Sequence, residues 1–526
     1  MNHHGTPSDL LPHSPVLAAA AREGTRMISR LWLLLLASLL VMLTARLAGP
    51  SAMQRFDQPK TVAYTASMVL HHQWLLPDDM LGGLSTKPPL VNWLAAPWVA
   101  LGFWSEWAVK LPMLVASICT LLMVVGMGRH LLVRCTETAA WAREGGLLAG
   151  LAWLTTPATM ESLYHCRPDP VLVAFLVAAW ALATLALDGS TRHPRRVALG
   201  LWVAVGLAGL TKGPPALLPI LYVPLAARFL YGEWAAAHRT GWKWGVPLAL
   251  AMMGGWLVPV ALLHPDHFSH VLLGQELLSR VAGVGVVFGD VEKGGGTLRL
   301  LTGLYLNPVW LVEKMFPWSL AALAALWVLR PGEWFRHPLG PAILWVLLVL
   351  FFFSLTASKT ADYILPAYPA VAMLSAYFCV RVRGRWQLWP VAFGAVGLLL
   401  AVGLSVQAVK FSSAAREPYG ENTKQFAREV ASKVGNDSLV FVATGYNTLQ
   451  FFLARHQPGA PSPEALTTAK WIIQPVCRGL KAELLSDKIP NLSNSGKPGR
   501  VALYRADDRV LAEARKLAGL NSDGNP

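Results

Sequence analysis

The sequence has few charged residues for its length, and this shortage restricts the solvent in which the chain can fold. Only 14% of its 526 residues are Asp, Glu, Lys or Arg, whereas 54% are hydrophobic, and the mean hydropathy is +0.43. So few polar groups cannot cover a water-soluble globule of this size. The composition therefore predicts an integral membrane protein with the lipid bilayer as its solvent.

Cysteine and acidic residues are also scarce. The five cysteines are scattered and show no paired spacing, so the sequence predicts neither a disulfide framework nor a cysteine zinc site. Basic residues outnumber acidic ones by 45 to 30, but much of the excess lies in short segments between apolar runs. Charges in those places are typical of topology signals, and we expect no nucleic-acid partner.

Apolar runs long enough to cross a bilayer occur about eleven times, within a range of about ten to thirteen. They predict a polytopic α-helical membrane protein. A shorter run over 90–103 is expected to enter the bilayer without crossing it. The predicted spans lie near 30–49, 108–131, 144–162, 170–188, 196–211, 213–231, 244–263, 308–329, 339–356, 362–380 and 388–409.

The distribution of charge predicts the orientation of these spans. With the N-terminus inside, every inner loop is basic, as in the loop with Arg192, Arg195 and Arg196, and cytoplasmic loops accumulate Lys and Arg. The outer segments hold mixed acidic and basic residues instead. The conspicuous polar residues are therefore expected on the non-cytoplasmic face.

The composition also divides the chain into parts. Residues 1–29 are expected to be a disordered cytoplasmic leader, and residues 30–410 a membrane domain with long outer segments at 50–107 and 264–307. The first of these contains an amphipathic piece, Thr61–Leu70, suited to the bilayer surface. The glycine-rich stretch 282–296 suits a mobile lid or a flexible linker equally well.

After about residue 410 the composition becomes typical of a water-soluble domain. Residues 411–526 predict a small α/β domain, which the odd number of spans places outside. Its expected helices cover 425–434 and 509–517, and its expected strands cover 439–443, 471–476 and 501–504.

Two outer carboxylates are candidates for catalysis. Asp57 follows the first span at the membrane surface, where a carboxylate can take a proton from an attacking hydroxyl; a solvated loop residue is the alternative. Asp169 stands between Pro168 and Pro170 at the start of a hydrophobic helix. It could form a second catalytic carboxylate or cap that helix.

Cations recur at the outer membrane boundary. Lys87, Lys212 and Lys359 each lie beside it, and Arg280 is a fourth candidate. A charge near the hydrocarbon is costly and favours an anionic partner, although a single lysine there can simply snorkel. Together these cations predict a site for a phosphate or pyrophosphate leaving group.

Other residues of the outer segments are candidates for binding. The spacing of His264, His267 and His270 is compatible with a divalent metal, but interfacial histidines explain it equally, and no further ligand is identifiable. Possible substrate contacts are Gln58, Glu276 and Tyr363. No nucleotide cofactor is expected, because no glycine-rich fingerprint has the required strand-to-helix context.

The order of these elements over residues 30–410 resembles the GT-C glycosyltransferases, specifically the family of bacterial aminoarabinose transferases acting on lipid A and of protein O-mannosyltransferases. The resemblance rests on short motifs in a fixed order. These are Asp57, Gln73-Trp74-Leu75-Leu76-Pro77, Lys87-Pro88-Pro89-Leu90, Lys110-Leu111-Pro112, Asp169, Leu210-Thr211-Lys212-Gly213-Pro214, Phe316-Pro317-Trp318-Ser319-Leu320 and Ser358-Lys359 through Tyr363-Ile364-Leu365-Pro366.

The resemblance implies a GT-C fold, an active site on the periplasmic side of a bacterial inner membrane, a polyprenyl-phosphate sugar donor and inversion at the anomeric carbon. It implies that Asp57 is the catalytic carboxylate and Asp169 the second acidic residue, with the four cations facing the donor phosphate. Where the family commonly has acidic residues, this chain has Gln58 and Thr86. A metal or acceptor contact through those carboxylates, and specificity for aminoarabinose, are therefore not implied.

The predicted function is transfer of a sugar from a polyprenyl-phosphate donor to a lipid or protein hydroxyl on the outer face, with membrane lipids around the enzyme. Two alternatives remain. A transporter or flippase for a lipid-linked sugar would place ionisable residues at mid-helix depth. A non-catalytic binder of such a sugar is compatible with Gln58 and Thr86.

Overall fold

The structure is a computed structural model, and helices dominate it. It describes residues 28–41, 43–44, 53, 58–80, 82–162, 166–278, 296–356, 360–386, 394, 397, 421–442, 447–455, 457, 460–477, 479–486 and 500–520. The predicted leader before residue 28, the predicted span 388–409 apart from residues 394 and 397, and nearly all of the glycine-rich stretch 282–296 lie outside the described residues.

Fifteen helices fill the part of the chain described up to residue 386. Their bounds are α1 Ile28–Val41, α2 Gln58–His71, α3 Leu90–Ala100, α4 Glu106–Val133, α5 Ala142–Leu154, α6 Pro157–Ser162, α7 Asp169–Leu187, α8 Pro194–Lys212, α9 Leu217–Phe229, α10 Trp242–Leu263, α11 His267–Leu278 (wound as a π-helix), α12 Gly296–Lys314, α13 Trp318–Leu329, α14 Gly340–Ser354 and α15 Tyr368–Trp386.

Ten of the eleven predicted spans overlap described helices, although residues 42 and 45–49 of the first lie outside the described residues. Among the described residues, four helical segments are long and apolar enough to cross a membrane, or five if one bent pair is a single span. The four are α4, α7, α10 and the stretch Ala361–Val382 that includes most of α15. Four shorter apolar helices accompany them, namely Ile28–Val41, Leu90–Ala100, Pro214–Phe229 and Gly340–Ser354. The chain is therefore built as a polytopic membrane protein, and the count of eleven spans stays a prediction.

The predicted single span 308–329 is a bent pair. The axis of the helical stretch Trp318–Leu329 is bent by 117° from that of Thr302–Lys314. Pro317 between them has no backbone N–H to continue the helical hydrogen bonds. The Ser319 hydroxyl donates to the Val312 carbonyl at 2.7 Å, which satisfies an oxygen that the break leaves free. Apolar length alone could not reveal this bend.

Burial separates central helices from peripheral ones. In α7, 78% of the 18-residue apolar window is buried, whereas in α10 the share is 17%. Helix α7 packs against α4, α8 and α9, and its Trp180 stacks on Trp345 of α14 with ring centroids 5.7 Å apart. Helix α10 exposes apolar side chains, as lipid-facing helices do. The central position of α7 fixes the place of Asp169 at its first residue.

Helix α2 differs from the surface helix predicted over Thr61–Leu70. It is a helix, but nearly every side chain from Gln58 to Met68 is buried. It packs against α3 and against a short helix near the C-terminus, Asn447–Phe452. Protein therefore covers the faces that the amphipathic pattern assigned to lipid and water.

Residues 421–520, here called the C-terminal unit, contain a four-stranded mixed sheet. Its strands are β1 Leu439–Phe441, β2 Trp471–Pro475, β3 Leu484–Leu485 and β4 Val501–Arg505, in the order β1-β2-β4-β3. Strands β1 and β2 are parallel, and β4 is antiparallel to β2 and β3. The helices beside it are α16 Glu421–Val434, α17 Asn447–Phe452, α18 Pro463–Thr468 and α19 Asp508–Leu517.

The C-terminal unit contacts the beginning of the membrane part. The Asn447 side-chain amide donates to the Asp79 carbonyl at 2.6 Å. The Lys424 ammonium lies 3.0 Å from the Glu106 carboxylate at the first residue of α4. A cavity of about 290 Å³ opens beside this ion pair. The unit and the segment between α1 and α4 therefore lie on the same side of the helices.

A polar cluster joins three segments at the opposite ends of the helices. The Glu137 carboxylate accepts hydrogen bonds from the Tyr377 hydroxyl at 2.6 Å and from Arg381 at 2.9 Å. His337 lies 3.5 Å from the same carboxylate. Burial alone would raise the pKa of Glu137, but the hydrogen bonds, that from Tyr377 first, lower it to about 2.

Candidate active site

Asp169 is the centre of the candidate site. It is the first residue of α7, held between Pro168 and Pro170, and only 5% of its surface is exposed. Asp169 lies inside the first turn, Pro168 holds the cap position, and that cap has no side-chain hydrogen bond. A buried carboxylate requires charged or hydrogen-bonding partners, and Asp169 finds them outside its own helix.

Lys212 is the first partner. Its ammonium donates to Asp169 Oδ1 at 2.6 Å. Lys212 is the last residue of α8, where the helix dipole favours a cation, and Gly213 turns the chain at φ +73°. The Tyr363 ring lies beneath the ammonium, with its centroid 5.2 Å away. The predicted residues Asp169, Lys212 and Tyr363 therefore come together.

Arg167 is the second partner. Its Nε lies 3.4 Å from Asp169 Oδ2, and its guanidinium also forms an ion pair with Asp362. Arg167 therefore bridges two carboxylates on different segments. The sequence placed both Arg167 and Asp362 on the outer side but assigned them no role. The signal that could have found them is their position next to Asp169 and Tyr363.

Lys87 completes a group of cations around Asp169, which we call the cation cluster: Lys87, Arg167 and Lys212. Lys87 is half-buried and acts on Asp169 electrostatically. Its carbonyl accepts a hydrogen bond from the Ser85 hydroxyl at 2.9 Å. The cluster thus brings three cations to the buried carboxylate of Asp169. Such a group of cations can bind an anion such as a phosphate.

Gln58 links the first outer segment to this cluster. Its side chain is fully buried, and its Oε1 accepts a hydrogen bond from the Cys166 N–H at 2.7 Å. Cys166 directly precedes Arg167. The predicted substrate contact of Gln58 stays a prediction, while the observed bond connects the start of α2 to the segment that carries Arg167.

The three histidines that were candidate metal ligands differ in burial. His264 and His270 are exposed and His267 is half-buried. The His267 ring nitrogen Nε2 lies 2.9 Å from the Ser85 carbonyl. Among the described residues, no three His, Cys, Asp or Glu side chains are close enough to hold a metal ion. Glu276 is half-buried on α11, and its role as a substrate contact stays a prediction.

Three predicted site residues lie outside the part of the chain that the structure describes. They are Asp57, Arg280 and Lys359. The residue after Asp57 begins α2, and Thr360 precedes the short 3-10 helix with Asp362 and Tyr363. In sequence, Asp57 therefore adjoins the helix whose Gln58 binds the Cys166 N–H, and Lys359 lies shortly before the segment whose Asp362 and Tyr363 contact the cation cluster.

The helical bundle has the GT-C membrane fold, as its superposition on solved structures shows. The fold is that of an ArnT from Cupriavidus metallidurans. Its apo structure superimposes with a TM-score of 0.63 at 16% identity, covering 90% of this chain and 97% of that one. Its structure bound to undecaprenyl phosphate gives a TM-score of 0.61 at 16% identity, covering 84% and 87%.

Sequence relatives point to the same group. Residues 86–258 match the family described as dolichyl-phosphate-mannose-protein mannosyltransferase. The chain is 25% identical over 379 residues to an undecaprenyl phosphate-alpha-4-amino-4-deoxy-L-arabinose arabinosyl transferase of Erwinia tasmaniensis, covering 67% of this chain and 62% of that protein. A protein of the same description from Sodalis glossinidius is 27% identical over 327 residues, covering 61% and 54%. These similarities confirm the predicted resemblance to the GT-C glycosyltransferases. The chain spans 54% to 62% of the length of these two relatives.

Proposed function

We propose that this protein is a membrane glycosyltransferase that moves a sugar from a polyprenyl-phosphate donor to a lipid or protein hydroxyl, with inversion. The observation that carries the proposal is the buried Asp169, held by Lys212 at 2.6 Å and by Arg167 at 3.4 Å. Cations gathered at a helix boundary suit a lipid-linked phosphate, because its charge must be stabilised as it leaves. The descriptions of the relatives, which name undecaprenyl phosphate-linked aminoarabinose, agree in donor class.

In this mechanism the donor phosphate lies against Lys87 and Lys212, with Arg280 and Lys359 as further cations. Asp57 takes the proton from the acceptor hydroxyl as the oxygen attacks the anomeric carbon on the face opposite the phosphate. The C–O bond to the phosphate breaks, and the phosphate keeps the electron pair. A phosphate neutralised by cations needs no separate general acid.

Asp169 is proposed to orient this machinery. It positions Lys212 and Arg167 through its two oxygens, so that the donor phosphate meets cations already in place. Preorganised charges cost no rearrangement during the reaction. In this proposal Lys212 shares its hydrogen bonds between Asp169 and the phosphate, and Tyr363 supports the ammonium from below. Gln58 and Glu276 are retained as substrate contacts.

We also propose how the chain is oriented in the membrane. The membrane part contains about eleven spans and lies in a bacterial inner membrane, with the cation cluster facing the periplasm. The C-terminal unit is a periplasmic α/β domain, because it contacts the segment that leads to Lys87. A divalent metal stays an untested option, and aminoarabinose as the sugar is one candidate among several.

The experiment that tests this function is sugar transfer by the purified full-length protein in lipid nanodiscs. Radiolabelled polyprenyl-phosphate sugars are offered with membrane lipids and proteins as acceptors. We expect transfer from at least one donor, and its loss in Asp57→Asn with donor binding retained. Asp266→Asn is the matched control, because Asp266 is exposed and lies outside the cation cluster. Full activity of Asp57→Asn would refute the assigned base.

A binder without turnover is the second candidate, because Gln58 replaces a family carboxylate and is fully buried. Donor binding without transfer from any donor in the same assay would favour it. A transporter is less compatible with the structure, since Asp169 begins α7 and Lys212 ends α8. Ionisable residues at helix ends differ from the mid-membrane sites of transporters.

A further inference from the structure

The short helix α17 of the C-terminal unit is inserted against the first outer segment. Its first residue, Asn447, is 1% exposed, and its Nδ2 donates to the Asp79 carbonyl at 2.6 Å. The partner atom is a carbonyl oxygen, so only the nitrogen of the amide can face it. The bond crosses between parts of the chain that are 368 residues apart in sequence.

The carbonyl that accepts from Asn447 belongs to a turn whose described residues are 77–80 and 82–85, which we call the Asp79 turn. The Asp79 N–H donates to the Gly83 carbonyl at 2.8 Å, and the Gly83 N–H donates back to Asp79 Oδ1 at 2.9 Å. The Ser85 N–H donates to the Pro77 carbonyl at 2.8 Å. Three hydrogen bonds therefore connect the described residues of this turn to one another.

The Asp79 turn leads directly to the cation cluster. Ser85, its last residue, donates its hydroxyl to the Lys87 carbonyl at 2.9 Å, and the Ser85 carbonyl contacts His267 at 2.9 Å. Pro88 and Pro89 follow and restrict the backbone of Lys87. Hydrogen bonds therefore connect the Asp79 turn to Ser85 and Ser85 to the backbone of Lys87.

Apolar contacts seat α17 beside this turn. Phe451 is fully buried, and its ring lies 5.4 Å from Trp104. It belongs to the same apolar core as Val62 of α2 and Met80 of the Asp79 turn. Helix α17 is thus part of the core of the first outer segment, although it belongs to the C-terminal unit.

We propose that Asn447 is a positioning residue for the donor-phosphate site: the C-terminal unit, through α17, fixes the Asp79 turn and thereby the place of Lys87. This inference rests on the proposed function for the identity of the ligand. A site placed on a rigid support binds with less loss of conformational entropy than one on a free loop. The C-terminal unit therefore contributes to donor affinity without touching the donor.

The test measures binding of undecaprenyl phosphate, without a sugar, to the full-length protein in nanodiscs. Asn447→Ala is expected to weaken the affinity several-fold, with about tenfold as the upper limit that one lost hydrogen bond within the protein can cause. Asn447→Asp keeps the shape but offers no donor when ionised, and it is expected to bind at least as weakly. Ser462→Ala is the control, because it removes a hydrogen bond to the Ala465 N–H within the same unit, at the start of α18.

The outcomes separate the two proposals. If the wild type binds and Asn447→Ala binds equally well, the positioning role is refuted and the proposed function stands. If the wild type does not bind undecaprenyl phosphate, the proposed donor class is refuted instead. Equal weakening in Ser462→Ala and Asn447→Ala would assign the effect to general destabilisation of the unit and would overturn the inference.

A second measurement needs no ligand. The full-length folded protein is treated with a water-soluble acylating reagent, then digested, and modification of Lys87 is followed by mass spectrometry of the peptides. The rate of modification reports how firmly the Lys87 side chain is held. We expect a several-fold faster modification in Asn447→Ala and an unchanged rate at the exposed Lys243. An unchanged rate at Lys87 in a variant with wild-type thermal unfolding would overturn the positioning role.

Discussion

The buried pair of Asp169 and Lys212 should respond asymmetrically to the loss of either partner. The side chains are 7% and 12% exposed, and their charged atoms are 2.6 Å apart. In Asp169→Asn, Lys212 and Arg167 keep their charges while the carboxylate between them is gone. In Lys212→Met, the Asp169 carboxylate keeps Arg167 at 3.4 Å. Among the described residues, the carboxylate therefore keeps an ionic partner, whereas Lys212 keeps only the Tyr363 ring.

The magnitudes follow from this difference. Removing one partner of a buried ion pair costs about 3–5 kcal/mol when the remaining charge has no partner, and this is the expected destabilisation of Asp169→Asn. A lost hydrogen bond to a charged group costs about 1.5–3 kcal/mol, and this is the expected effect of Lys212→Met. In the double variant the two effects should fall short of their sum by about 0.5–3 kcal/mol, because the residues are in contact.

Unfolding in mixed micelles of increasing SDS content, followed by tryptophan fluorescence, provides the measurement. Lys212→Arg serves as the control that keeps a positive charge at the end of α8. Equal destabilisation by Asp169→Asn and Lys212→Met, or a double variant whose effect is the simple sum, would refute the coupled arrangement of Lys212, Asp169 and Arg167.

Three further predictions concern other contacts. Gln58→Leu removes the acceptor of the buried Cys166 N–H and should cost about 1–3 kcal/mol of unfolding free energy, measured in the same micelles; a neutral effect would contradict it. The pKa of Glu137 is lowered from 4.5 to about 2, so its contribution is fully present above about pH 4.5 and is lost as the pH falls toward 2. Thermal unfolding against pH should lose that dependence in Glu137→Gln, and a persistent dependence would assign it to other groups. Lys424→Met breaks the ion pair with Glu106 and should make the C-terminal unit easier to cleave from the membrane part by limited proteolysis; an unchanged rate would show that the pair does not hold the junction.

Much of the membrane part could be predicted because its signals are local. An apolar run must satisfy its backbone within one helix when it crosses lipid, and the helices α4, α7, α8 and α10 begin and end within a few residues of the predicted bounds. The bend before α13 and the burial of α2 were not predicted. The bend has a local signal in Pro317, which apolar length alone does not use. The burial of α2 depends on which neighbours cover the helix, and hydrophobic periodicity does not specify them.

In the candidate site, too, some residues could be predicted from the sequence and others could not. Asp169, Lys212 and Lys87 stand out in the sequence because charges beside hydrocarbon are costly. Arg167 and Asp362 did not stand out as a pair, since 195 residues separate them. Gln58 stood out only because the family commonly has an acidic residue there, and its bond to Cys166, which spans 108 residues, had no signal in the sequence.

The sequence by itself determined the solvent of this protein, the places of most helices and the segregation of basic loops from mixed ones, because composition and short-range pattern decide those properties. The tertiary structure decided which charges compensate one another and which segment supports which. Packing of the helix ends brings Asp169 to Lys212, 43 residues away, and brings Asn447 to the Asp79 turn. Such partnerships arise only when the folded helices place distant parts of the chain within hydrogen-bonding distance.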